Sequence, residues 1–367
     1  MAEFPLSPGS TIGILGGGQL GRMLALAAAR LGFDVAVLTP EPDACAARVA
    51  TRSIVAAYDD EDALEALAQI AEVVTFEFEN VPAVVVERLQ AFGVEVAPGP
   101  LALAVAQDRV DEKTFLRDCR VPTVDFAPVT SAADVSAALD QLGAPALLKT
   151  RRDGYDGKGQ TWIESHADAD AAFARIGGVP AILEGRADFI RELSVIAARG
   201  RDGDVACYPL GENHHENGVL RRTVAPADVS TAVTNEAQTI AARILTRLDY
   251  VGVIGVELFE LADGRLLVNE IAPRVHNTGH WTLDGCEVDQ FEQHIRAVAG
   301  WPLGPTTALA HVEMTNLLGA EADDWAKLAA EQDARLWLYG KGDARDGRKM
   351  GHVNRLSGFA PGTRSWA

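Results

Sequence analysis

Short apolar runs alternate with helical stretches over the first hundred residues of the chain. Residues 11–15 and 34–39 have the composition of buried strands, and residues 19–32 carry apolar side chains at helical spacing up to a glycine. Residues 73–80 (VVTFEFEN) form a further strand-like run before Pro82. Strands that alternate with helices predict a parallel, doubly wound sheet.

The pattern changes after about residue 100. Residues 101–122 predict one long helix that crosses to a second domain, after which strands come in hairpin-like groups with glycine-rich turns. Residues 230–249 predict another helix, and residues 251–273 a clear β-hairpin. The chain beyond about residue 301 is expected to form a smaller mixed unit.

Composition and charge narrow the class of protein. A length of 367 residues favours two or three domains, and a net charge of −19 argues against a general nucleic-acid binder without excluding a local basic pocket. The four cysteines are scattered without a CxxC pair, which predicts reduced thiols and a cytoplasmic location. We expect neither a signal peptide nor membrane association, because no window approaches the roughly 20 apolar residues of a span.

The predicted hairpin places two carboxylates opposite each other. Its turn is Asp263–Gly264, a strong hairpin signal. Counting outward pairs Ala262 with Arg265 and then brings Glu257 opposite Glu270. Facing carboxylates repel unless something compensates them. A divalent cation, with oxygen ligands favouring Mg²⁺, is one compensation; the alternative is that each glutamate pairs with an arginine or a lysine.

A glycine-rich segment at 147–160 (LLKTRRDGYDGKGQ) has the residue types of a phosphate-binding loop. Lys149 lies on a predicted buried strand, and Lys158 lies among Gly154, Gly157 and Gly159. Glycines let backbone N–H groups approach phosphates, and a lysine adds a point charge. The alternative is an ordinary turn with a solvated lysine. Together with the facing glutamates, the segment indicates ATP bound with Mg²⁺.

A third cluster follows the hairpin directly. Arg274 and His276 lie two residues apart, so an extended chain directs both to one side. A cation and a hydrogen-bonding group beside a Mg²⁺–phosphate site suit a negatively charged intermediate. The alternative for the histidine is a purely structural role.

The segment ILGGGQLGRM at 14–23 contains the Gly-x-Gly-x-x-Gly pattern of dinucleotide-binding turns. In such sites an acidic residue at the end of the second strand binds the ribose. Here that strand ends with Leu38, Thr39 and Pro40, and Glu41 comes late. An oxidoreductase that uses this turn for NAD or FAD is therefore a competing hypothesis rather than the favoured one.

Taken together, Lys149, residues 154–160, the segment ILEG at 182–185 and the Glu257/Glu270 pair resemble the ATP-grasp ligases. The chain is most similar to the 5-(carboxyamino)imidazole ribonucleotide synthase family within them. The segments that carry this likeness extend from residue 12 to about residue 352: GGGQLGRM, TFEFENVP, GYDGKGQ, APRVHNTGHWT and GRKMGH.

The resemblance implies a mixed α/β and α+β fold with three domains. It places a Rossmann-like (pre-ATP-grasp) parallel-sheet domain at 1–108, an ATP-grasp domain at 109–300 with subdomains of about 109–183 and 184–300, and a small C-terminal domain at 301–367. It implies a carbon–nitrogen ligase of de novo purine biosynthesis with Mg²⁺ as cofactor. ATP would phosphorylate bicarbonate to carboxyphosphate, and the carboxyl group would pass to 5-aminoimidazole ribonucleotide (AIR), with ADP and phosphate released. Members of the family are typically cytoplasmic homodimers.

The resemblance also implies roles for individual residues. The metal ligands would be Glu257 and Glu270. The catalytic groups would be Arg274, His276, Lys158 and Asp156. The AIR-binding residues would be Gln19, Leu20, Glu77, Tyr155, Arg274, His276, Arg348 and Lys349, with Arg348 and Lys349 as a joint phosphate grip. The ATP-binding residues would be Arg109, Lys149, Gly154, Tyr155, Asp156, Gly157, Lys158, Gly159, Gln160, Glu184, Gly185, Arg186, Ala187, Glu192, His215, Asn269 and Glu270.

The sequence leaves several alternatives open. His214 is the neighbour of His215 and competes for its role, and Glu77 has the alternative of a solvated strand-end carboxylate. Many ATP-grasp enzymes carry an asparagine where this chain has Ala272; Asn269 is a substitute, but a regular strand directs its side chain to the opposite face. Rival functions are a formate-dependent ribonucleotide transformylase, a biotin carboxylase-like enzyme and an inactive ATP-binding regulator.

Overall fold

An N-terminal parallel sheet confirms the predicted alternation of strands and helices. The computed structural model of the chain describes residues 2–154 and 157–358. The strands pair in the order β3-β2-β1-β4-β5, all parallel. The elements of this part are β1 (Thr11–Leu15), α1 (Gln19–Arg30), β2 (Asp34–Thr39), β3 (Arg52–Val55), α2 (Glu61–Ile70), β4 (Val73–Phe76), α3 (Ala83–Ala91), β5 (Glu95–Val96) and α4 (Pro100–Ala106).

The long helix predicted over 101–122 is wrong, because the chain forms two helices there. Helix α4 ends at Ala106, and a new helix, α5 (Arg109–Asp118), begins after Asp108. The Asp108 side chain accepts hydrogen bonds from the backbone N–H groups of Val110 and Asp111, which is the bonding of a helix N-cap. An N-cap aspartate inside an apolar pattern is the signal that periodicity alone overlooks.

A small antiparallel sheet follows, in the order β6-β9-β7-β8. Its elements are β6 (Phe126–Val129), α6 (Ala132–Leu142), β7 (Ala146–Thr150), β8 (Gln160–Ile163), α7 (Ala169–Arg175) and β9 (Ala181–Gly185). Buried side chains of the two helices pack with those of the strands in one apolar cluster. This sheet carries Lys149 on its central strand β7.

A larger sheet contains the predicted hairpin at one end. Its main path is β15-β14-β10-β12-β13-β16-β18-β17, with β11 paired to β10. Its first part comprises β10 (Phe189–Arg199), β11 (Val205–Cys207), β12 (Gly211–Glu216), β13 (Val219–Ala225), α8 (Thr231–Arg247), β14 (Gly252–Leu261), β15 (Leu266–Ala272), α9 (Thr282–Gly285) and α10 (Gln290–Val298). The last part comprises β16 (His311–Leu318), α11 (Trp325–Leu328), β17 (Ala334–Leu338) and β18 (Lys349–Ser357). Because β16 pairs with β13, one continuous sheet crosses the boundary expected near residue 300.

A buried histidine joins the N-terminal sheet to the large sheet. Nδ1 of His294, on α10, accepts a hydrogen bond from the backbone N–H of Val253 on β14 at 3.1 Å. The proton therefore lies on Nε2, which donates to the Thr75 hydroxyl on β4 at 2.8 Å. Strands β4 and β14 lead into two of the candidate site segments, so this bridge fixes their relative position.

None of the helices within 2–154 and 157–358 combines the length and the apolar character needed to cross a bilayer.

Candidate active site

A cavity of about 530 Å³ gathers most of the predicted site residues. It lies where the small sheet, the large sheet and the N-terminal part of the chain meet. The predicted residues that line it are Gln19, Leu20, Arg109, Lys149, Gly154, Gly157, Lys158, Gln160, Glu192, His215, Glu257, Asn269, Glu270, Arg274, His276 and Lys349. Tyr155 and Asp156 lie outside the described residues, so their predicted roles stay predictions.

The facing glutamates are present, but the register at the hairpin tip differs from the prediction. The turn spans residues 262–264, since the N–H of Leu261 donates to the carbonyl of Arg265, and Glu260 rather than Leu261 is opposite Leu266. The pairing of Ala262 with Arg265 is therefore wrong. A bulge between Glu257 and Leu258 shifts the strand register back by one residue, so that Glu257 is opposite Glu270 as predicted.

The bulge also corrects the expectation for Asn269. As the extra residue of the bulge, Asn269 interrupts the alternation of side chains and lines the same cavity as Glu257 and Glu270. A regular strand would have directed it to the other face. The three oxygen-bearing side chains therefore share one side of the hairpin.

The electrostatics of the glutamate pair fit a cation. Burial, together with the charge of Glu270, raises the pKa of Glu257 to about 7. Nη1 of Arg109 lies 3.2 Å from Oε2 of Glu270, so the predicted arginine partner is also present. Within the described parts of the chain, no cluster of three or more histidine, cysteine or acidic side chains forms a metal site. A Mg²⁺ ion here would complete its coordination with nucleotide phosphates, as Mg²⁺ commonly does.

Lys149 is held at the base of the glycine-rich segment. Its Nζ lies 2.7 Å from Oε2 of Glu184, which is buried on β9. Although burial alone would raise it, the adjacent lysines hold the pKa of Glu184 at about 2. Arg109 donates from Nη2 to the carbonyl of Gly154 at 3.0 Å, which ties the start of the segment to α5. Glu184 thus supports Lys149 from below rather than lining the cavity.

One end of the cavity is aromatic. Phe189 and Phe259 stack with ring centroids 4.5 Å apart, and Trp162 lies at the same end. Arg186 and Ala187 line an adjoining space of about 630 Å³ that shares Trp162 and Phe189 with the main cavity. No sequence pattern had indicated any of these three aromatic residues.

His215, and not His214, lines the cavity. The two histidines are adjacent on β12, where successive side chains point to opposite faces; the extra residue of the neighbouring bulge, Arg221, lies on β13. His215 Nδ1 lies 2.5 Å from Oε2 of Glu192 on the neighbouring strand β10. Burial lowers the pKa of His215, but the Glu192 carboxylate outweighs it and raises that pKa.

Arg274 and His276 both line the cavity, as their spacing predicted. The guanidinium of Arg274 donates two hydrogen bonds to the Glu79 carboxylate, one of them at 3.0 Å. Burial opposes ionisation of Glu79, but Arg274 lowers its pKa to about 2. Burial, reinforced by the charge of Arg274, lowers the pKa of His276, so the imidazole is neutral. The side-chain amide of Gln290 holds the backbone of His276: it accepts a hydrogen bond from the N–H of His276 at 2.9 Å and donates one to the carbonyl of His276 at 2.7 Å.

Glu79 and Gln290 were missed in the sequence analysis. Glu79 stands in the quoted segment TFEFENVP two residues after Glu77, and strand periodicity gave no reason to prefer one acid over the other. Gln290 is distant in the chain and carries no local signal.

Glu77 occupies the inside of the glycine turn. Its carboxylate accepts hydrogen bonds from the backbone N–H groups of Gly18 and Gly21, the latter at 2.7 Å. The side chain is buried, which raises its pKa and contradicts the alternative of a solvated carboxylate. In a dinucleotide site these N–H groups face the pyrophosphate. The carboxylate fills that position here, which explains why the glycine pattern does not make a NAD or FAD site.

The turn also makes Gly16 essential. Its φ of +114° is unfavourable for other residues, and a Cβ there would lie 2.3 Å from Cγ of Glu77. We expect Gly16→Ala to lower the free energy of unfolding by about 2 kcal/mol or more, measured by denaturant titration. Gly99→Ala is the matched control, since its φ is −71° and its Cβ meets open space, and should stay within about 1 kcal/mol of wild type. Equal stabilities would contradict this account of the turn.

Arg348 and Lys349 line two different cavities, and their joint grip on a phosphate stays a prediction. Lys349 lines the main cavity, whereas Arg348 lines a separate cavity of about 220 Å³ beside Gly17 and Gly18. Lys341 lines this smaller cavity with Arg348. Burial, together with the charge of Arg348, lowers the pKa of Lys341. Adjacent residues entering a strand point to different sides, which agrees with the two separate cavities, although both cations act on Lys341.

Three family models match most of the chain. Residues 10–107 match the ribonucleotide synthetase preATP-grasp domain, residues 114–291 the ATP-grasp domain, and residues 313–360 the phosphoribosylaminoimidazole carboxylase C-terminal domain. The N5-carboxyaminoimidazole ribonucleotide synthase of Brucella melitensis is 51% identical, with 97% of this chain and 99% of the relative covered.

Solved structures of similar sequence have the same fold. The N5-carboxyaminoimidazole ribonucleotide synthetase of Thermus thermophilus is 45% identical with a TM-score of 0.88, and covers 94% of this chain and 93% of its own. The Aspergillus clavatus enzyme, in complex with ADP and 5-aminoimidazole ribonucleotide, is 31% identical with a TM-score of 0.90, over 95% of this chain and 94% of its own. The chain belongs to the N5-carboxyaminoimidazole ribonucleotide synthase family of ATP-grasp ligases.

Proposed function

We propose that the 530 Å³ cavity is the site where ATP, bicarbonate and AIR react. As a member of its family, the chain is an ATP-dependent carbon–nitrogen ligase that carboxylates AIR in purine biosynthesis. The observation that carries the proposal is the facing pair Glu257–Glu270, which shares one cavity with Lys149 and with Arg274 and His276.

The nucleotide would lie along the two sheets. Its adenine suits the aromatic end formed by Trp162, Phe189 and Phe259, next to the backbone of residues 184–187. The ribose would meet Glu192 with His215 behind it. The phosphates would meet Arg109, Lys149 and residues 154–160, whose glycines allow close backbone approach.

Glu257 and Glu270 would hold Mg²⁺, with Asn269 beside them. The ion would neutralise charge on the transferred phosphoryl group. The raised pKa of Glu257 supports this role, because a cation between the carboxylates removes the repulsion that favours its protonation. Asn269 on the cavity side supports its use in place of the asparagine that Ala272 replaces.

The protein groups near the reacting atoms suit an anionic intermediate. A bicarbonate oxygen attacks the γ-phosphorus of ATP, the bond to the ADP oxygen breaks, and carboxyphosphate forms. The AIR amine then bonds to the carboxyl carbon, transferred directly or as CO₂, while phosphate leaves and the amine gives up a proton. Arg274 would stabilise the carboxyphosphate charge, and neutral His276 can accept the proton.

AIR would extend towards the glycine turn. Gln19 and Leu20, at the start of α1, line the main cavity. Lys349, at the start of β18, lines it as well. Lys341 and Arg348 in the smaller cavity supply the two converging cations that a ribonucleotide phosphate needs. Glu77 would act indirectly, by holding the turn that carries Gln19. We further propose a cytoplasmic homodimer with domains 1–108, 109–300 and 301–367.

The test is ADP release with ATP and Mg²⁺, measured with and without bicarbonate and AIR. We expect strong stimulation by AIR that requires bicarbonate and stops when Mg²⁺ is chelated. Replacing bicarbonate with formate distinguishes the proposed carboxylation from the reaction of a formate-dependent transformylase. Stimulation by formate and not by bicarbonate would contradict the proposal, and Mg²⁺-independent turnover would contradict the metal site alone.

A further inference from the structure

We propose that Glu112 and Lys113 are positioning residues that hold the bulge in β15, so that Glu270 and Asn269 face the cavity. The proposal rests on the metal role proposed above for Glu257 and Glu270. It assigns a function to a buried ion cluster that the proposed reaction does not otherwise use.

The bulge decides on which side of the hairpin Glu270 lies. At the tip Leu258 pairs with Val268, and continuing that register would pair Glu257 with Asn269. Glu270 would then point to the opposite face, because a slip of one residue reverses every side chain. The extra residue at the bulge prevents this, but it takes backbone groups out of the regular ladder, and buried groups of this kind need other partners.

Helix α5 supplies those partners on both sides of Glu270. Nζ of Lys113 donates to the carbonyl of Asn269 at 2.5 Å and lies 3.4 Å from that of Val268. Oε1 of Glu112 accepts from the backbone N–H of Ile271 at 2.6 Å. Glu112 is 3% exposed and Lys113 1%, so neither contact competes with bulk water.

The same helix reaches the carboxylate itself. Arg109, one turn before Lys113, contacts Oε2 of Glu270 at 3.2 Å. Lys113 also lies 3.5 Å from Oε1 of Glu184, whose other oxygen binds Lys149. The cluster therefore connects the metal side of the cavity to the lysine proposed for the ATP phosphates.

Stability alone does not account for these two buried side chains. Burying a glutamate and a lysine costs free energy, and apolar side chains of similar size often serve a core as well or better. Buried polar groups are favoured where they select one arrangement of the backbone, and the bulge is such an arrangement. The pair Glu112–Lys113 thus fixes the register that the metal requires.

The experiment measures ADP affinity with Mn²⁺ and without any divalent metal, and takes the ratio of the two affinities. We expect Lys113→Met to lower this ratio about tenfold, as loss of a group that orients a ligand commonly does. Glu112→Leu should act in the same direction, and Glu112→Gln, which keeps an acceptor for Ile271, should retain the ratio. Leu116→Ala is the matched control, because it damages the apolar cluster that Leu116 shares with Val268 and Ile271 without removing a polar partner of the bulge.

The outcomes separate this inference from the proposed metal site. If Lys113→Met keeps the wild-type ratio while Glu257→Gln loses it, the metal site stands and the positioning role is overturned. If Glu257→Gln keeps the ratio, the metal site itself is wrong. If Leu116→Ala lowers the ratio as much as Lys113→Met, the effect is general loosening and the inference is again overturned.

A measurement on the wild-type protein covers the case in which the variants do not fold. Hydrogen exchange of the Ile271 amide should be slow without nucleotide, since Glu112 holds it in the free enzyme. Exchange as fast as that at the exposed residues Ala262 and Asp263 would overturn the inference.

Discussion

Glu270→Gln is expected to lower kcat for AIR-dependent ADP release about a thousandfold, which corresponds to about 4 kcal/mol of transition-state stabilisation. The amide keeps the shape of the side chain and removes the charge opposite Glu257. It also leaves Arg109 without the carboxylate that it contacts at 3.2 Å. Both effects weaken the hold on Mg²⁺ and on the phosphates, so the loss should appear in kcat and in the Mg²⁺ requirement.

The control is another acid-to-amide change in the same hairpin. Asp263→Asn alters the turn of the hairpin, where the exposed side chain accepts hydrogen bonds from Arg265, and should change kcat by less than about twofold. Steady-state kinetics at several Mg²⁺ concentrations give both numbers. A Glu270→Gln enzyme within tenfold of wild type would show that the facing glutamates do not hold the metal.

Arg274→Met is expected to lower kcat about a hundred- to a thousandfold while ADP binds with near wild-type affinity. The guanidinium would stabilise carboxyphosphate, which exists only after ATP has reacted, so nucleotide affinity should not depend on it. Arg274→Lys keeps the charge but not the two-point contact with Glu79, and should recover only part of the rate. Equal losses in kcat and in ADP affinity would assign Arg274 to the nucleotide instead.

The same variant has a predictable effect on stability against pH. In the wild type, Arg274 lowers the pKa of Glu79 from an ordinary 4.5 to about 2. A lowered carboxyl pKa contributes stability that is fully present above 4.5 and is lost as the pH falls towards 2. Without the guanidinium, burial raises the pKa of Glu79 above 4.5, so the difference in unfolding free energy between wild type and Arg274→Met should shrink as the pH falls from neutral through 4.5 towards 2. A difference that does not change with pH would mean that the ion pair contributes nothing.

Local sequence patterns predicted the structure correctly where the chain follows a regular period. The strand–helix alternation predicted the parallel sheet, and the Asp263–Gly264 turn predicted the hairpin and the facing glutamates. The prediction of Glu257 opposite Glu270 succeeded although the tip register was wrong, because the bulge offset the error. A bulge has no period, so counting from a turn cannot find it.

Sequence patterns could not predict contacts between segments that are distant in the chain. Lys113 and Glu79 are ordinary charged residues of a helix and a strand end until the fold brings them to Asn269 and Arg274. Arg348 and Lys349 show the converse, because neighbours in sequence separate once the entry to β18 directs them to different cavities. Residue types near a motif therefore predicted the class of chemistry, and tertiary contacts determined which side chains lie together.

The carboxylate inside the glycine turn has a consequence for inhibitor selectivity. Because Glu77 already binds the N–H groups of Gly18 and Gly21, compounds designed to mimic a dinucleotide pyrophosphate find those donors occupied. Dehydrogenases offer the same donors to their cofactor. A compound that enters the smaller cavity instead would meet the turn together with Lys341 and Arg348, two cations that the glycine pattern does not include, and this would favour discrimination against dehydrogenases.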